Sequence, residues 1–195
     1  MQRSSLDLPT GYYLERDPDI LTLRRLDGSI VSAFSARGAA PEVVRRTVEE
    51  TVQGRLVVGP GSVMFPFERY VTEPVTIGFE KGVAVSIEGG REAIMLRDLI
   101  ATQNNPNCRR LAHVGWGTDH RARWDVLAAR GADGGGGAEL RSIYGGVLLA
   151  LGENRDLGGA NGAPLHLDIA LRRARLELDG VAVVENGQIL DPQLA

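Results

Sequence analysis

The chain contains three histidines, His113, His120 and His166, and the last of them opens the tripeptide His166-Leu167-Asp168. In a β-strand, residues two apart project from the same face. An imidazole and a carboxylate then stand side by side, their α-carbons about 7 Å apart from the rise of a strand. Two such groups can grip one metal ion. A further histidine from a distant segment would complete a set of two histidines and one carboxylate, which suits non-haem Fe(II) and leaves coordination positions open for substrate and dioxygen. His113 is the candidate for that third ligand, because it stands beside Gly115-Trp116-Gly117, where small residues let a ligand approach the backbone. The same histidine-x-aspartate pattern also serves as a plain hydrogen-bonded pair on a strand, so spacing alone leaves both readings open.

Positioning these groups requires strands. Opposite His166 and Asp168, the residues Leu165, Leu167 and Ile169 would pack into a core. The segment Leu165 to Leu178 reads as one strand, followed by Val181 to Glu185 and Gln188 to Leu190, with tight-turn signals at Asp179-Gly180 and Asn186-Gly187 between them. A strand over Val147 to Leu151 runs into a Gly/Asn-rich loop, Glu153 to Ala163, that leads directly to His166. Upstream, Leu56 to Val58, Val75 to Phe79 and Val83 to Ile87 read as strands, the last two joined at Glu80-Lys81-Gly82, and a helix is expected over Arg91 to Gln103. Residues Leu111 to Trp124 are dense in polar and aromatic groups. Ala132 to Ala138 holds four consecutive glycines, a loop or a tight backbone passage. Nearer the N-terminus, residues 20 to 36 read as a hairpin around Asp27-Gly28. A helix is expected after it, with Pro41 at its first position, a stripe of Val43, Val44, Thr47, Val48 and Val52, Glu42 and Arg46 four apart, and Gly54 at its end. The expected organisation is a hairpin-plus-helix segment at 1–54 and a metal-binding domain at 55–195. The class is α+β, mostly antiparallel, with two principal helices.

Composition narrows the function further. The 195 residues, 43% hydrophobic and 24% charged, are those of an ordinary globular protein. A formal charge of −3 with both signs interspersed gives no basic field for phosphates, so nucleic acid is not an expected partner. The single cysteine, Cys108, can form no internal disulfide, and the polar start Met1-Gln2-Arg3-Ser4-Ser5 lacks the apolar stretch of a signal peptide. A cytoplasmic location is expected. The longest apolar run, Val147 to Leu151, is far short of the ~20 residues that span a bilayer, and no membrane segment is expected.

Two stretches carry a family resemblance. Leu111-Ala-His-Val-Gly-Trp-Gly-Thr-Asp-His-Arg-Ala-Arg-Trp124, and Leu151-Gly-Glu-Asn154 through Gly158-Gly159 to His166-Leu-Asp-Ile-Ala-Leu171, resemble the 2,5-dihydroxypyridine 5,6-dioxygenase family, ring-cleaving iron enzymes similar in sequence to the aminopeptidase T family of metallopeptidases. The resemblance extends to Leu56-Val-Val-Gly-Pro-Gly-Ser62, Phe65-Pro-Phe-Glu-Arg-Tyr-Val71, Glu88-Gly-Gly90 and Leu178-Asp-Gly180, and so covers about residues 55 to 191. It implies iron ligands at His113, His166 and Asp168. The peptidase pattern has a glutamate where this chain has His113 and a histidine where it has Leu148, so a two-metal hydrolytic site would lack ligands at both places.

The expected activity is that of an Fe(II)-dependent dioxygenase acting on a small hydroxylated aromatic or heteroaromatic substrate and O2. Substrate deprotonation needs a base within hydrogen-bond reach, for which His120, Glu139 and Tyr144 are candidates; each also has a structural reading. His120 stands where the family resemblance implies an apolar residue or proline. Trp116 could stack on the ring or plug the core, and Arg121 and Arg123 could pair with a substrate carboxylate or face solvent. Full-length members of the family carry a large N-terminal domain that contributes to the pocket, whereas about fifty-four residues precede the matching region here. A homo-oligomer that covers the exposed face is therefore expected. An aminopeptidase-like metallohydrolase and a non-catalytic accessory protein are the alternatives, separable by metal content.

Overall fold

The structure, a computed structural model, describes residues 52–190 apart from 66, 131–139, 158 and 179–180, together with the backbone of five strands nearer the N-terminus. Those five are β1 (Gln2–Ser4), β2 (Tyr12–Asp17), β3 (Ile20–Arg25), β4 (Ile30–Ser35) and β5 (Glu42–Arg45). The strands β6 (Gly54–Val58), β7 (Val63–Met64), β8 (Arg69–Tyr70), β9 (Val75–Glu80) and β10 (Val83–Gly89) lead to helix α1 (Arg91–Thr102). Then come β11 (Leu111–Gly117), the short helix α2 (Val126–Arg130), β12 (Val147–Gly152), β13 (His166–Leu171), β14 (Arg175–Leu178), β15 (Val181–Glu185) and β16 (Gln188–Ile189). No helix among the described residues is long and apolar enough to cross a membrane.

The strands form a ten-stranded sheet in the order β1-β2-β3-β4-β5-β11-β12-β13-β7-β8 and two three-stranded sheets, β10-β9-β6 and β14-β15-β16. Their ladders are antiparallel, and the class is α+β with few helices. Two hairpins close through two-residue turns with both central residues at positive φ, Lys81 (47°) with Gly82 (74°) and Asn186 (51°) with Gly187 (82°). That backbone twist matches the twist of paired strands, which is why lysine or asparagine followed by glycine marks them.

The central strands β11, β12 and β13 are covered on both sides. From one face Trp116, Val147, Leu149, Leu151, Leu167 and Ile169 enter the larger apolar cluster, where Val75, Ile77 and Phe79 of β9 and Leu96 and Ile100 of α1 also pack. From the other face Leu148 and Ala170 enter a smaller cluster with Val63, Leu127, Leu140 and Ile143. Burying both faces explains the near-continuous apolar run of β12, all six of whose residues are buried.

Two expectations change. Residues 42–45 are strand β5 rather than the start of a helix; the remainder of that expected helix up to 51 lies outside the described residues. Val43 and Val44 are β-branched and pair with Trp116 and Gly115 of β11, so strand propensity and a partner together outweigh the helical spacing. The expected single strand from Leu165 to Leu178 breaks after β13 at Arg172 and Arg173, both exposed, with Arg173 at φ 55°. Two arginines cannot continue a strand covered on both faces, so the chain turns and β14 joins a different sheet. The hairpin at 20–36 forms as β3 and β4, and its ladder continues through β5 to β11 across residue 54. The glycine-rich stretch at 132–138 lies outside the described residues.

Candidate metal centre

Strand register brings the three chemically active side chains together. Across the sheet, His113 of β11 stands opposite Ala150 of β12, which stands opposite Asp168 of β13, while His166 pairs with Gly152. With neighbouring strands about 4.8 Å apart, β11 and β13 are roughly 10 Å from each other. Side chains from the outer two strands must converge above the middle one. Ala150 and Gly152 leave room for that convergence, and Gly152 has a second constraint. It takes φ 94°, and a Cβ there would sit 1.9 Å from the Leu165 carbonyl oxygen.

The converging atoms form a nearly equilateral triangle. His113 Nε2 lies 3.3 Å from His166 Nε2 and 3.4 Å from Asp168 Oδ1, and His166 Nε2 lies 3.2 Å from the same oxygen. Donors about 2.0–2.2 Å from a shared ion take up such separations on one face of its coordination shell. The donor set therefore fits a single ion. His113 and Asp168 are 3% and 5% exposed, so both are largely removed from water, while His166 stands at the rim.

The loop between β12 and β13 sets the geometry of His166. Its Nδ1 lies 2.6 Å from the Glu153 carbonyl oxygen. A carbonyl only accepts, so Nδ1 carries a proton toward it and Nε2 is the ring nitrogen that faces the cluster. Glu153 holds the loop in turn: its carboxylate accepts from the Ala163 N–H and from Arg155. The Arg155 side chain, with the Ala163 and Arg155 N–H groups, brings that carboxyl down to about 2. Buried Asn154 donates to the Ala112 carbonyl, next to His113, and accepts from the Asn161 N–H. Asn161 donates to the Gly152 carbonyl. These amides tie the segment before His166 to the strand that carries His113.

Electrostatics favour a charged Asp168. Burial pushes its carboxyl up, yet the hydrogen bonds to His113 and His166 outweigh it and hold the group well below the usual carboxylate range. The Asp168 hydrogen bond raises His166 in turn. The second carboxylate oxygen, Oδ2, accepts from Arg141 Nη1 at 3.0 Å. His113 Nδ1 is buried with no hydrogen-bond partner among the described residues. Beside the cluster lies a cavity of about 200 Å³, lined by His113, Arg141, Glu153, Asn154, Asp156, Leu157 and His166.

Of the other residues singled out from sequence, those described lie elsewhere. His120 and Tyr144 stack on each other, ring centroids 3.9 Å apart, and neither lines this cavity. Trp116 is 3% exposed in the larger apolar cluster, on the face of β11 opposite His113. Arg121 pairs with Asp119 and Arg123 with Asp125, both arginines exposed, and Glu139 lies outside the described residues. Sequence reasoning missed Arg141, Asn154 and Asn161. The two asparagines fall in a loop singled out for its composition and its family resemblance, neither of which assigns them a role. Arg141 follows a glycine run, 27 positions from the carboxylate it meets, and no local signal links them.

Fold and site together describe an antiparallel α+β protein with a His/His/Asp cluster, carried by β11 and β13 on either side of β12, as its candidate metal centre. The model of the NicX family, 2,5-dihydroxypyridine 5,6-dioxygenase, matches residues 39–191, and the chain belongs to that family. It is 37% identical over 145 residues to a 2,5-dihydroxypyridine 5,6-dioxygenase of Pseudomonas putida KT2440, a match covering 74% of this chain and 41% of that relative. The solved structure of 2,5-dihydroxypyridine dioxygenase from Pseudomonas putida KT2440 superposes with a TM-score of 0.74 at 30% identity, covering 90% of this chain and 56% of the other. Wild-type AmpT from Thermus thermophilus matches at a TM-score of 0.48 and 16% identity, over 94% of this chain and 49% of that one. The chain thus spans about half the length, or less, of the relatives it matches.

Proposed function

We propose that the chain forms the site of a mononuclear non-haem Fe(II) oxygenase, a ring-cleaving dioxygenase for a small hydroxylated aromatic or heteroaromatic substrate. The observation that carries this reading is the triangle of His113, His166 and Asp168 donors, 3.2–3.4 Å apart, in a chain of a dioxygenase family. Those three residues would hold the ion. Bound there, Fe(II) would supply the one-electron chemistry that lets dioxygen react with an aromatic ring.

The chain's own groups account for the rest. The Glu153 carbonyl orients His166, and the asparagine pair keeps β11 and the entering loop in register. A cavity of about 200 Å³ suits a single ring, since a cavity of roughly 150 Å³ accepts benzene. The two-metal hydrolase alternative draws no support from the surroundings of Leu148, which is 1% exposed in an apolar cluster.

Metal quantification after anaerobic purification tests the proposal, paired with oxygen uptake and the electron paramagnetic resonance of the nitric oxide complex, with and without 2,5-dihydroxypyridine. About one iron per chain, a ferrous nitrosyl signal that the ring compound perturbs, and substrate-dependent oxygen uptake are expected. Two zinc or cobalt ions with amide hydrolysis would put the hydrolase in its place. No bound metal would leave an accessory protein.

A further inference from the structure

Asp168 offers its two oxygens to different partners. Oδ1 faces both imidazole Nε2 atoms, at 3.4 and 3.2 Å, whereas Oδ2 accepts from Arg141 Nη1 at 3.0 Å. An arginine head group is planar and permanently charged, so it holds a carboxylate oxygen in a fixed direction rather than merely near by. Arg141 is itself anchored. Its neighbours Leu140 and Ile143 are 2% and 6% exposed and pack with Leu148 and Ala170, on the sheet face that carries His113 and Asp168. The guanidinium therefore arrives over the site from a turn that the apolar cluster fixes.

We infer that Arg141 is a positioning residue that reserves one oxygen of Asp168, so that the carboxylate presents a single donor to the ion. The inference rests on the metal site proposed above. Its consequence concerns open positions: a carboxylate that binds through both oxygens takes one more place in the coordination shell, and that place would be lost to substrate or dioxygen. Arg141 also lines the cavity, with its side chain 36% exposed, so it acts at the boundary between ligand shell and substrate space.

Co(II) loading and Fe(II) with nitric oxide test this without recourse to turnover. In Arg141→Met, which keeps the aliphatic stem and removes the donors, Oδ2 is released. The visible absorption of the Co(II) form should weaken as the coordination number rises, and nitric oxide should bind the Fe(II) form roughly 10-fold or more weakly, the scale of outer-shell effects. Arg141→Lys, which returns one charged donor, should restore most of the wild-type spectrum. A stability role alone would leave the spectrum of folded protein unchanged. Should the methionine variant fold poorly, Arg141→Gln, too short to span the same distance, carries the same expectation. If the wild-type chain takes up Co(II) and the variants keep its spectrum and nitric oxide affinity, the role of Arg141 is overturned and the metal site stands. If the wild-type chain takes up no Co(II) or Fe(II), both fall together.

Discussion

The two faces of β11, β12 and β13 differ in what they ask of a side chain. On one face Trp116, Val147, Leu149, Leu151, Leu167 and Ile169 exclude water by shape and apolar area. On the other, one register row holds His113, Ala150 and Asp168, where polar atoms are packed against each other with little water to solvate them. The same backbone serves both, because strand geometry alternates faces residue by residue. A family of metal chemistries can thus be built on one side of a sheet while the other side supplies the stability that holds the ligands still.

Substitutions on the two faces should therefore separate cleanly. Asp168→Ala or His166→Ala should lower metal affinity beyond the roughly 10- to 100-fold loss typical of outer-shell changes, while circular dichroism reports a retained fold. Leu167→Ala, at a side chain 0% exposed, should cost about 2–5 kcal/mol of stability yet leave metal bound per folded molecule unchanged. Denaturant titration and metal analysis on the same samples measure both quantities. Metal retained by Asp168→Ala, or lost in folded Leu167→Ala, would erase the distinction.

Ala150 sits where the two demands meet. It is 0% exposed between the strands whose candidate ligands converge above it, so Ala150→Leu should overpack the row at a cost of about 1–3 kcal/mol and push His113 and Asp168 apart. Loss of metal affinity together with this moderate destabilisation is expected. An equal loss of stability with intact metal binding would mean that the converging side chains do not depend on a small residue there.

A second buried carboxylate sharpens the contrast. Glu92, 1% exposed in the first turn of α1, accepts from Thr72 and Arg91. Burial pushes it up, but its own backbone N–H, Arg91 and Thr72 together leave it below its ordinary value of 4.5. With the folded value depressed, its contribution to stability is complete above the unfolded value and is lost as pH falls through the folded one. The gap in unfolding midpoint between wild type and Glu92→Gln should then be greatest near neutrality and shrink below pH 4.5. A gap that stays constant to pH 3 would contradict this account. Glu92 is satisfied within its own neighbourhood, whereas Asp168 faces the two imidazoles of the candidate metal centre.

Much of this contrast was legible in the sequence, and the limits have physical causes. The alternation around His166-Leu167-Asp168 defined the faces of β13, and the glycine turns after Lys81 and Asn186 defined hairpins, because both signals are local. The partner strand of His113 was not legible, since register across β12 depends on long-range pairing. Val43 and Val44 misled for a related reason: their spacing fits a helix, and only the edge of β11 makes them a strand. Arg141 was invisible because its position over Asp168 depends on the packing of Leu140 and Ile143, not on any motif.

The smallest expected effect belongs to Trp116, whose sequence position beside His113 allowed two readings. Its pairing with Val147 and Val43 and its 3% exposure put it on the water-excluding face, with the sheet between its ring and the ligands. The indole Nε1 is buried and finds no partner among the described residues. Replacing the ring by a smaller one gives up buried apolar area, but it also removes an unpaired donor whose burial costs about 1–3 kcal/mol. These terms oppose each other, so Trp116→Phe should change stability by no more than about 1 kcal/mol, and metal affinity and the affinity of the metal-loaded protein for a ring compound should stay within about twofold, less than RT in free energy. Isothermal titration of wild type and variant with 2,5-dihydroxypyridine measures the difference directly. A loss of ring affinity of tenfold or more, with metal content unchanged, would place Trp116 against the substrate and reverse the assignment of faces on β11.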